Sequence, residues 1–253
     1  MSVTIDQFVA LADSLMNPAA FSDYCPNGLQ VRGRSTVQKL VCGVTANQAL
    51  IDAAAAAGAD VLLVHHGFFW KGEDPCLTGI KYRRIKRLID HDINLVAYHL
   101  PLDAHPELGN NARLAALLGI EVGGGLEPGN PLSVGNTGRL SAPMAAGEFC
   151  ARVATVLDRE PLLVAAGDRP IETVAWCTGA AQGYIDRAAV LGVDAYLSGE
   201  ISEPTVHSAR ELGVHYIAAG HHATERYGVQ ALGQHLASEL GLAYEFIDIN
   251  SPV

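Results

Sequence analysis

The sequence predicts an α/β fold built from two α/β domains with mainly parallel or mixed sheets, and three observations carry that prediction. Short apolar runs alternate with helical patterns along most of the 253 residues, as in parallel strands joined by right-handed crossovers. Two of the runs end in adjacent histidines, Asp60-VLLV-His65-His66-Gly67 and YIAAG-His221-His222, and open α/β sheets take their ligands at the carboxyl ends of strands. The stretch 121–138 is rich in Gly, Pro and Asn and separates two such alternating series. It marks the expected boundary between one domain over 1–125 and another over 126–253.

The first helix opens at Thr4-x-x-Gln7, which resembles a capping box, with Phe8, Leu11 and Leu15 on one face. KLVCGVTA then reads as a strand, NQALIDAAAAAG as a helix and DVLLVHH as a buried strand bounded by turn signals. KYRRIKRLIDHD, NLVAYH and GNNARLAALLG follow as helix, strand and helix, the last ending at Gly119. Beyond the Gly-rich stretch come FCARVATVLDR (helix), TVAWCTG (strand), YIDRAAVLG (helix), DAYLSGE (strand), EPTVHSARELG (helix) and HYIAAGHH (strand), with a final helix over 225–239. The two series resemble each other. Gly-Ala-Asp60 before VLLV-His65-His66 parallels Gly-Val-Asp194 before AYLS-Gly199-Glu200, and His99-x-x-x-Asp103 parallels His221-x-x-x-Glu225.

Composition narrows the function. No stretch approaches the roughly 18 uninterrupted apolar residues of a membrane helix. The N-terminus carries Asp6 and Asp13 and no basic cluster, which is not the pattern of a signal peptide. A formal charge of −10 argues against nonspecific binding to nucleic acid or acidic membranes. Five cysteines, at 25, 42, 76, 150 and 177, form no CxxC pair, as expected of free thiols in a reducing compartment. The expectation is a soluble, cytoplasmic protein with no membrane and no nucleic-acid partner.

The strand-end histidines and the acidic residues that follow them form a candidate metal site. Neighbouring residues of a regular strand face opposite ways, so His65 and His66 converge only if the chain turns, which Gly67 permits. That geometry suggests one imidazole for each of two nearby ions. His221 and Glu225, four apart where a strand gives way to a helix, can reach one pocket. Asp103 follows Leu-Pro101-Leu, expected to stay extended beyond its strand. Three imidazoles and two carboxylates suit zinc, manganese or iron, and a carboxylate bridging two ions gives the arrangement of two-metal hydrolases. His99 is a candidate proton donor or a partner orienting Asp103, and His222 a candidate proton donor or a surface residue. His105, His207 and Glu200 are weaker pocket candidates. The basic run Lys81, Arg83, Arg84, Lys86 and Arg87 reads as the solvated face of an amphipathic helix, and Phe68, Phe69 and Trp70 as packing residues able to stack on a base.

At these residues the chain resembles the GTP cyclohydrolase I type 2 proteins, also called the NGG-interacting-factor-three-like family. SDYCPNGLQVRG, LLVHHGFFWKG, YHLPLDAHPELGNNARLA, DAYLSGEISEPTVHSARE and AAGHHATERYGVQAL carry the likeness over nearly the whole length. The resemblance implies two α/β domains of that family's architecture and a dinuclear metal centre at the positions that here are His65, His66, Asp103, His221 and Glu225. It also implies a toroidal homohexamer and a hydrolase acting on a purine nucleotide, GTP by the family's name, with two divalent ions as cofactors. Glu225, His99 and His222 are then the candidate catalytic residues. Two other readings share the motifs: a metal-dependent phosphoesterase, and a non-enzymatic metal-binding scaffold or regulatory ring.

Overall fold

The computed structural model describes residues 3–253. In chain order it contains β1 (Val3–Thr4), α1 (Ile5–Met16), β2 (Gly28–Val31), β3 (Thr36–Val37), β4 (Lys39–Thr45), α2 (Gln48–Ala56), β5 (Val61–His66) and α3 (Gly79–Asp90). Then come β6 (Asn94–Ala97), α4 (Leu100–Ala104), α5 (Asn110–Leu118), β7 (Ile120–Gly125), β8 (Asn136–Met144), α6 (Ala146–Leu157) and β9 (Leu162–Val164). The chain ends with β10 (Ile171–Cys177), α7 (Ile185–Val190), β11 (Ala195–Ser198), α8 (Glu203–Leu212), β12 (His215–Ala218), α9 (His221–Leu240) and β13 (Ala243–Phe246).

The α/β class with mixed sheets is as expected, but the division of the chain is not at 125/126. One compact unit comprises Met1–Leu102 and Gly228–Ile249, the other Asp103–Tyr227 and Asn250–Val253. The Gly-rich stretch is no linker: β7 pairs antiparallel with β8 from Ile120↔Leu140 to Gly125↔Asn136, so it forms one edge of the second unit's sheet. Composition misleads here because glycine is poor in a strand interior yet tolerated at a sheet edge. The chain also returns at its far end, where β13 pairs parallel with β4 in the first unit.

The first unit's main sheet has the order β13-β4-β5-β6-β2, parallel except for β2. Strand alternation sends Val41, Leu62, Val64 and Leu95 into one core with Leu50, Ile51, Ile85 and Leu88 of α2 and α3. Helix α1 begins at the expected box, Thr4 Oγ1 accepting from the Gln7 N–H and Gln7 Oε1 from the Thr4 N–H. Its buried face is Ile5, Phe8, Ala12 and Met16, rotated from the Phe8–Leu11–Leu15 stripe expected.

The second unit's sheet has the order β7-β8-β10-β11-β12-β9. Trp176, Leu197 and Ile217 pack with Leu114, Phe149 and Val153 of α5 and α6 on one face. Tyr196 and Tyr216 pack with Ala188 and Ala209 of α7 and α8 on the other. Both faces being covered explains why β10, β11 and β12 read as continuous apolar runs.

The suspected internal repetition is present in the topology. Strands β4-β5-β6 are parallel neighbours with β2 antiparallel beyond β6, and β10-β11-β12 are parallel neighbours with β9 antiparallel beyond β12. Asp60 precedes β5, where one carboxylate oxygen accepts from the N–H groups of Gln38 and Lys39 and the other pairs with Arg34 at 2.9 Å. Asp194 precedes β11, accepting from Glu172 and Thr173 N–H and pairing with Arg169 at 3.1 Å. The same acidic residue thus pins the start of the neighbouring strand in both units. Replacing Asp60 with alanine removes the acceptor of two part-buried backbone donors, so unfolding in urea should show a loss of about 1–3 kcal/mol.

The repeat also fixes equivalent positions. The Tyr98 N–H donates to the Val64 carbonyl as the Ala219 N–H does to that of Ser198, so His99 corresponds to Gly220, not to His221. The match read from the His-x-x-x-acid spacing is therefore displaced by one residue.

Candidate metal centre

In the first unit β5 delivers His65 and His66 at its carboxyl end, and His99 follows β6. His65 is fully buried, and its Nδ1–H donates to the Tyr98 carbonyl at 2.9 Å. A carbonyl only accepts, so this bond fixes the proton on Nδ1 and assigns the Nε2 lone pair to any metal. His66 Nδ1 is 3.0 Å from Thr45 Oγ1. The two rings are not opposed: their centroids lie 4.5 Å apart. Gly67 contributes by close approach, since a Cβ there would collide with the Gln30 amide and sit 2.8 Å from Ala97 Cβ. Gln30 Oε1 in turn receives the Phe68 N–H at 2.7 Å. Donor atoms of His65, His66 and His99 lie within 4.8 Å of one another, a group that could hold a metal ion.

Asp23 is the residue the sequence reading passed over. Its Oδ1 is 2.7 Å from His99 Nδ1, and the carboxylate also accepts from Asn27 Nδ2 and the N–H groups of Tyr24 and Leu100. Burial alone would raise its pKa, but the bonds from His99 and Asn27, the charge of His99 and the Leu100 N–H outweigh it and hold the carboxyl down to about 2. The folded value lies below the ordinary 3.8, so this group's contribution to stability is present above that pH and lost as pH falls through about 2. Asp23→Asn should therefore be less stable than the parent in urea at pH 6, with the gap closing as pH falls toward 2.

In the second unit α4 and α9 present the carboxylates. Asp103 is buried, its Oδ1 accepting from Asn110 Nδ2 at 2.9 Å and Thr178 Oγ1 at 3.3 Å. Asn111 Nδ2 donates to the Asp103 carbonyl. His221, the first residue of α9, has Nδ1 2.7 Å from Glu200 Oε1 and Nε2 3.1 Å from Glu225 Oε2. Burial works against its charged form, but bonds and charges from Glu225 and Glu200 prevail and raise its pKa to about 9. Glu225 is buried as well, and carboxylate oxygens of Asp103 and Glu225 lie within 4.8 Å of one another. Burial and these two acids push the Cys177 thiol well above its ordinary range, which makes it an inert neighbour.

Several expectations change in detail. Leu100–Ala104 is a short helix rather than extended chain, with Pro101 in the first turn, where its missing N–H is harmless. Helix α9 starts at His221, four residues before the expected 225, so His221 and Glu225 stand one helical turn apart. His222 is half-buried and donates its backbone N–H to the Val253 carbonyl. His105 Nδ1 accepts from the Glu107 and Leu108 N–H groups, a local loop role. His207 forms an exposed pair with Glu203 on α8. On α3, Lys81, Lys86 and Arg87 pair with Glu73, Asp90 and Asp52. Phe68 is buried, and Lys81 lies over the ring of Phe69, 5.0 Å from its centroid. No helix among the described residues is long and apolar enough to cross a membrane.

A repeated α/β sheet with imidazole donors at the ends of its parallel strands and carboxylate donors on the helices that follow defines a class: α/β proteins whose side chains there could hold a metal ion. Within it the chain belongs to the family described as Duf34/NIF3 (NGG1p interacting factor 3), whose model matches residues 3–252. It is 59% identical over 252 residues to a Pseudomonas aeruginosa protein named GTP cyclohydrolase 1 type 2 homolog, covering 100% of both chains. A solved structure described as protein ybgI, of unknown function, shares 51% identity at a TM-score of 0.95, with 99% of this chain and 100% of that one covered. A structure from Thermus thermophilus shares 34% identity at a TM-score of 0.89, with 99% and 100% covered.

Proposed function

We propose that the protein is a dinuclear metal-dependent hydrolase acting on a purine nucleotide, GTP by the naming of its relatives. The ligands of two divalent ions, zinc, manganese or iron, would be His65, His66, Asp103, His221 and Glu225. The observation that carries this reading is the pair of buried carboxylates, Asp103 and Glu225, with oxygens within 4.8 Å. Like charges placed together away from water are costly unless a cation joins them. The donors fit such a cation: His65 is fixed in the tautomer that offers Nε2, and Asp103 is oriented by the neutral groups of Asn110 and Thr178. Bound divalent ions would supply Lewis acidity and a water of lowered pKa.

The reaction so proposed consumes two waters at C8 of the guanine ring. The first breaks C8–N9 and opens the ring to a formamide, the second breaks the remaining C8–N7 bond and releases formate, and each departing nitrogen must receive a proton. Glu200, held at His221 Nδ1, and His222, next along α9, are the groups proposed to carry those protons. Glu225 both holds metal and shapes the electrostatics around His221. Six copies forming a ring belong to the same proposal, and light scattering should then give a mass near six times 26.7 kDa. For the activity, protein reconstituted with manganese or zinc is incubated with GTP. Formate release that disappears on chelation is expected. Stoichiometric metal with GTP left intact would overturn the reaction, and a panel of phosphate esters would then show whether a phosphoester is the bond cleaved instead.

A further inference from the structure

His99 lies outside the five-residue ligand set, and the environment built around it is more elaborate than packing requires. Four donors converge on Asp23: His99 Nδ1 at 2.7 Å, the Leu100 N–H at 2.9 Å, Asn27 Nδ2 at 2.9 Å and the Tyr24 N–H at 2.6 Å. Asn27 completes the frame by accepting the His99 backbone N–H at 2.7 Å. The Trp70 indole meets the His99 ring edge-on at 5.0 Å and is itself tied to the Gly67 carbonyl. Ring position and rotation of His99 are thereby both set.

All three imidazoles of the first unit follow one design. The Nδ1 atoms engage, respectively, the Tyr98 carbonyl (His65), the Thr45 hydroxyl (His66) and the Asp23 carboxylate (His99). The rings lie 4.5, 5.1 and 5.8 Å apart by centroid and are tilted by 41–53°, so they converge instead of stacking. With Nδ1 occupied, Nε2 is the atom each ring offers, and a carboxylate or carbonyl behind the far nitrogen is how metal-binding histidines are oriented and made more basic.

We infer that His99 is a further metal ligand, the third imidazole of the first unit's half of the centre, and that Asp23 is the positioning residue that holds it. The inference rests on the metal centre proposed above and adds to it a preference: a three-imidazole face suits zinc or another borderline ion better than calcium or magnesium.

The test uses the full-length protein. A crystal soaked in zinc should show His99 Nε2 at about 2.0–2.1 Å from an ion also held by His65 or His66. In cobalt titrations followed by visible absorption, His99→Ala should weaken one of the bound ions by about 100-fold or more and change its spectrum, and Asp23→Asn should weaken it by roughly 10–100-fold. If His99→Ala does not fold, the soaked crystal of the unaltered protein answers the question alone. An ion held by His65 and His66 with His99 Nε2 beyond bonding distance, or a His99→Ala protein with unchanged cobalt affinity and spectrum, overturns the assignment of His99 and leaves the proposed function standing. No ion on any of these residues overturns both.

Discussion

Gly179→Ala is expected to cost about 3 kcal/mol or more of stability and to remove the metal binding proposed for the second unit's donors. Gly179 has φ +69, and a Cβ there would collide with Glu225 Oε1 and lie 3.2 Å from His221 Nε2. The left-handed backbone alone costs an L-residue roughly 1–2 kcal/mol, and displacing a buried carboxylate adds to it. The backbone has no room to yield. The Gly179 N–H donates to Thr224 Oγ1 at 3.1 Å, and its carbonyl accepts from the Gly199 N–H and Ser198 Oγ. Urea unfolding together with elemental analysis of the purified variant checks both effects. Gly183→Ala is the matched control, because a Cβ there meets nothing within 4 Å, and its stability should stay within about 0.5 kcal/mol of the parent. A Gly179→Ala protein that retains its full metal content would show that Glu225 and His221 do not need their present geometry to bind it.

The sequence made the central strands plain because β5, β6, β11 and β12 are buried on both faces and hence continuously apolar. It hid β1, β2, β3, β9 and β13, which have two to four residues each, too few to show an alternation. The return of β13 to pair with β4 joins segments about 200 residues apart, and no local pattern carries that information. At the site, His65, His66, His221 and Glu225 announced themselves by adjacency and spacing. Asp23 did not: it lies in a loop 76 residues from His99, and its function there comes from tertiary contact alone. The available signal was its place in SDYCPNGLQVRG, where Asn27 stands four residues on and shares its hydrogen bond. Glu200 had a better signal, since its strand-end place mirrors that of His66 in the repeated sheet. Spacing to an acid pairs His99 with His221, whereas the ladder bonds of Tyr98 and Ala219 set the register one residue away, at Gly220.

Glu225→Gln should separate the enzymatic from the scaffold reading, since it keeps shape and removes one charge. In metal-free protein two effects oppose each other. Repulsion with the Asp103 carboxylate is relieved, and the attraction of the Glu225 carboxylate for His221, 3.1 Å away, is lost. The metal-free melting temperature should therefore stay within a few degrees of the parent. With metal in excess the variant should fall behind, because a hundredfold loss of affinity removes about 2.7 kcal/mol of ligand-linked stability. The imidazole gives an independent readout. Its pKa of about 9 lies above the ordinary 6.5, so its stabilising effect is complete below pH 6.5 and disappears as pH rises through about 9. Metal-free parent protein should accordingly lose stability across that window, and Glu225→Gln should lose less, because only Glu200 then favours the proton on His221. A hydrolase should lose turnover of GTP by at least about a hundredfold while the metal-free fold persists. A ring whose metal serves assembly alone should instead show the stability loss with no turnover at any stage, and equal metal affinity in parent and variant would remove Glu225 from the ligand set altogether.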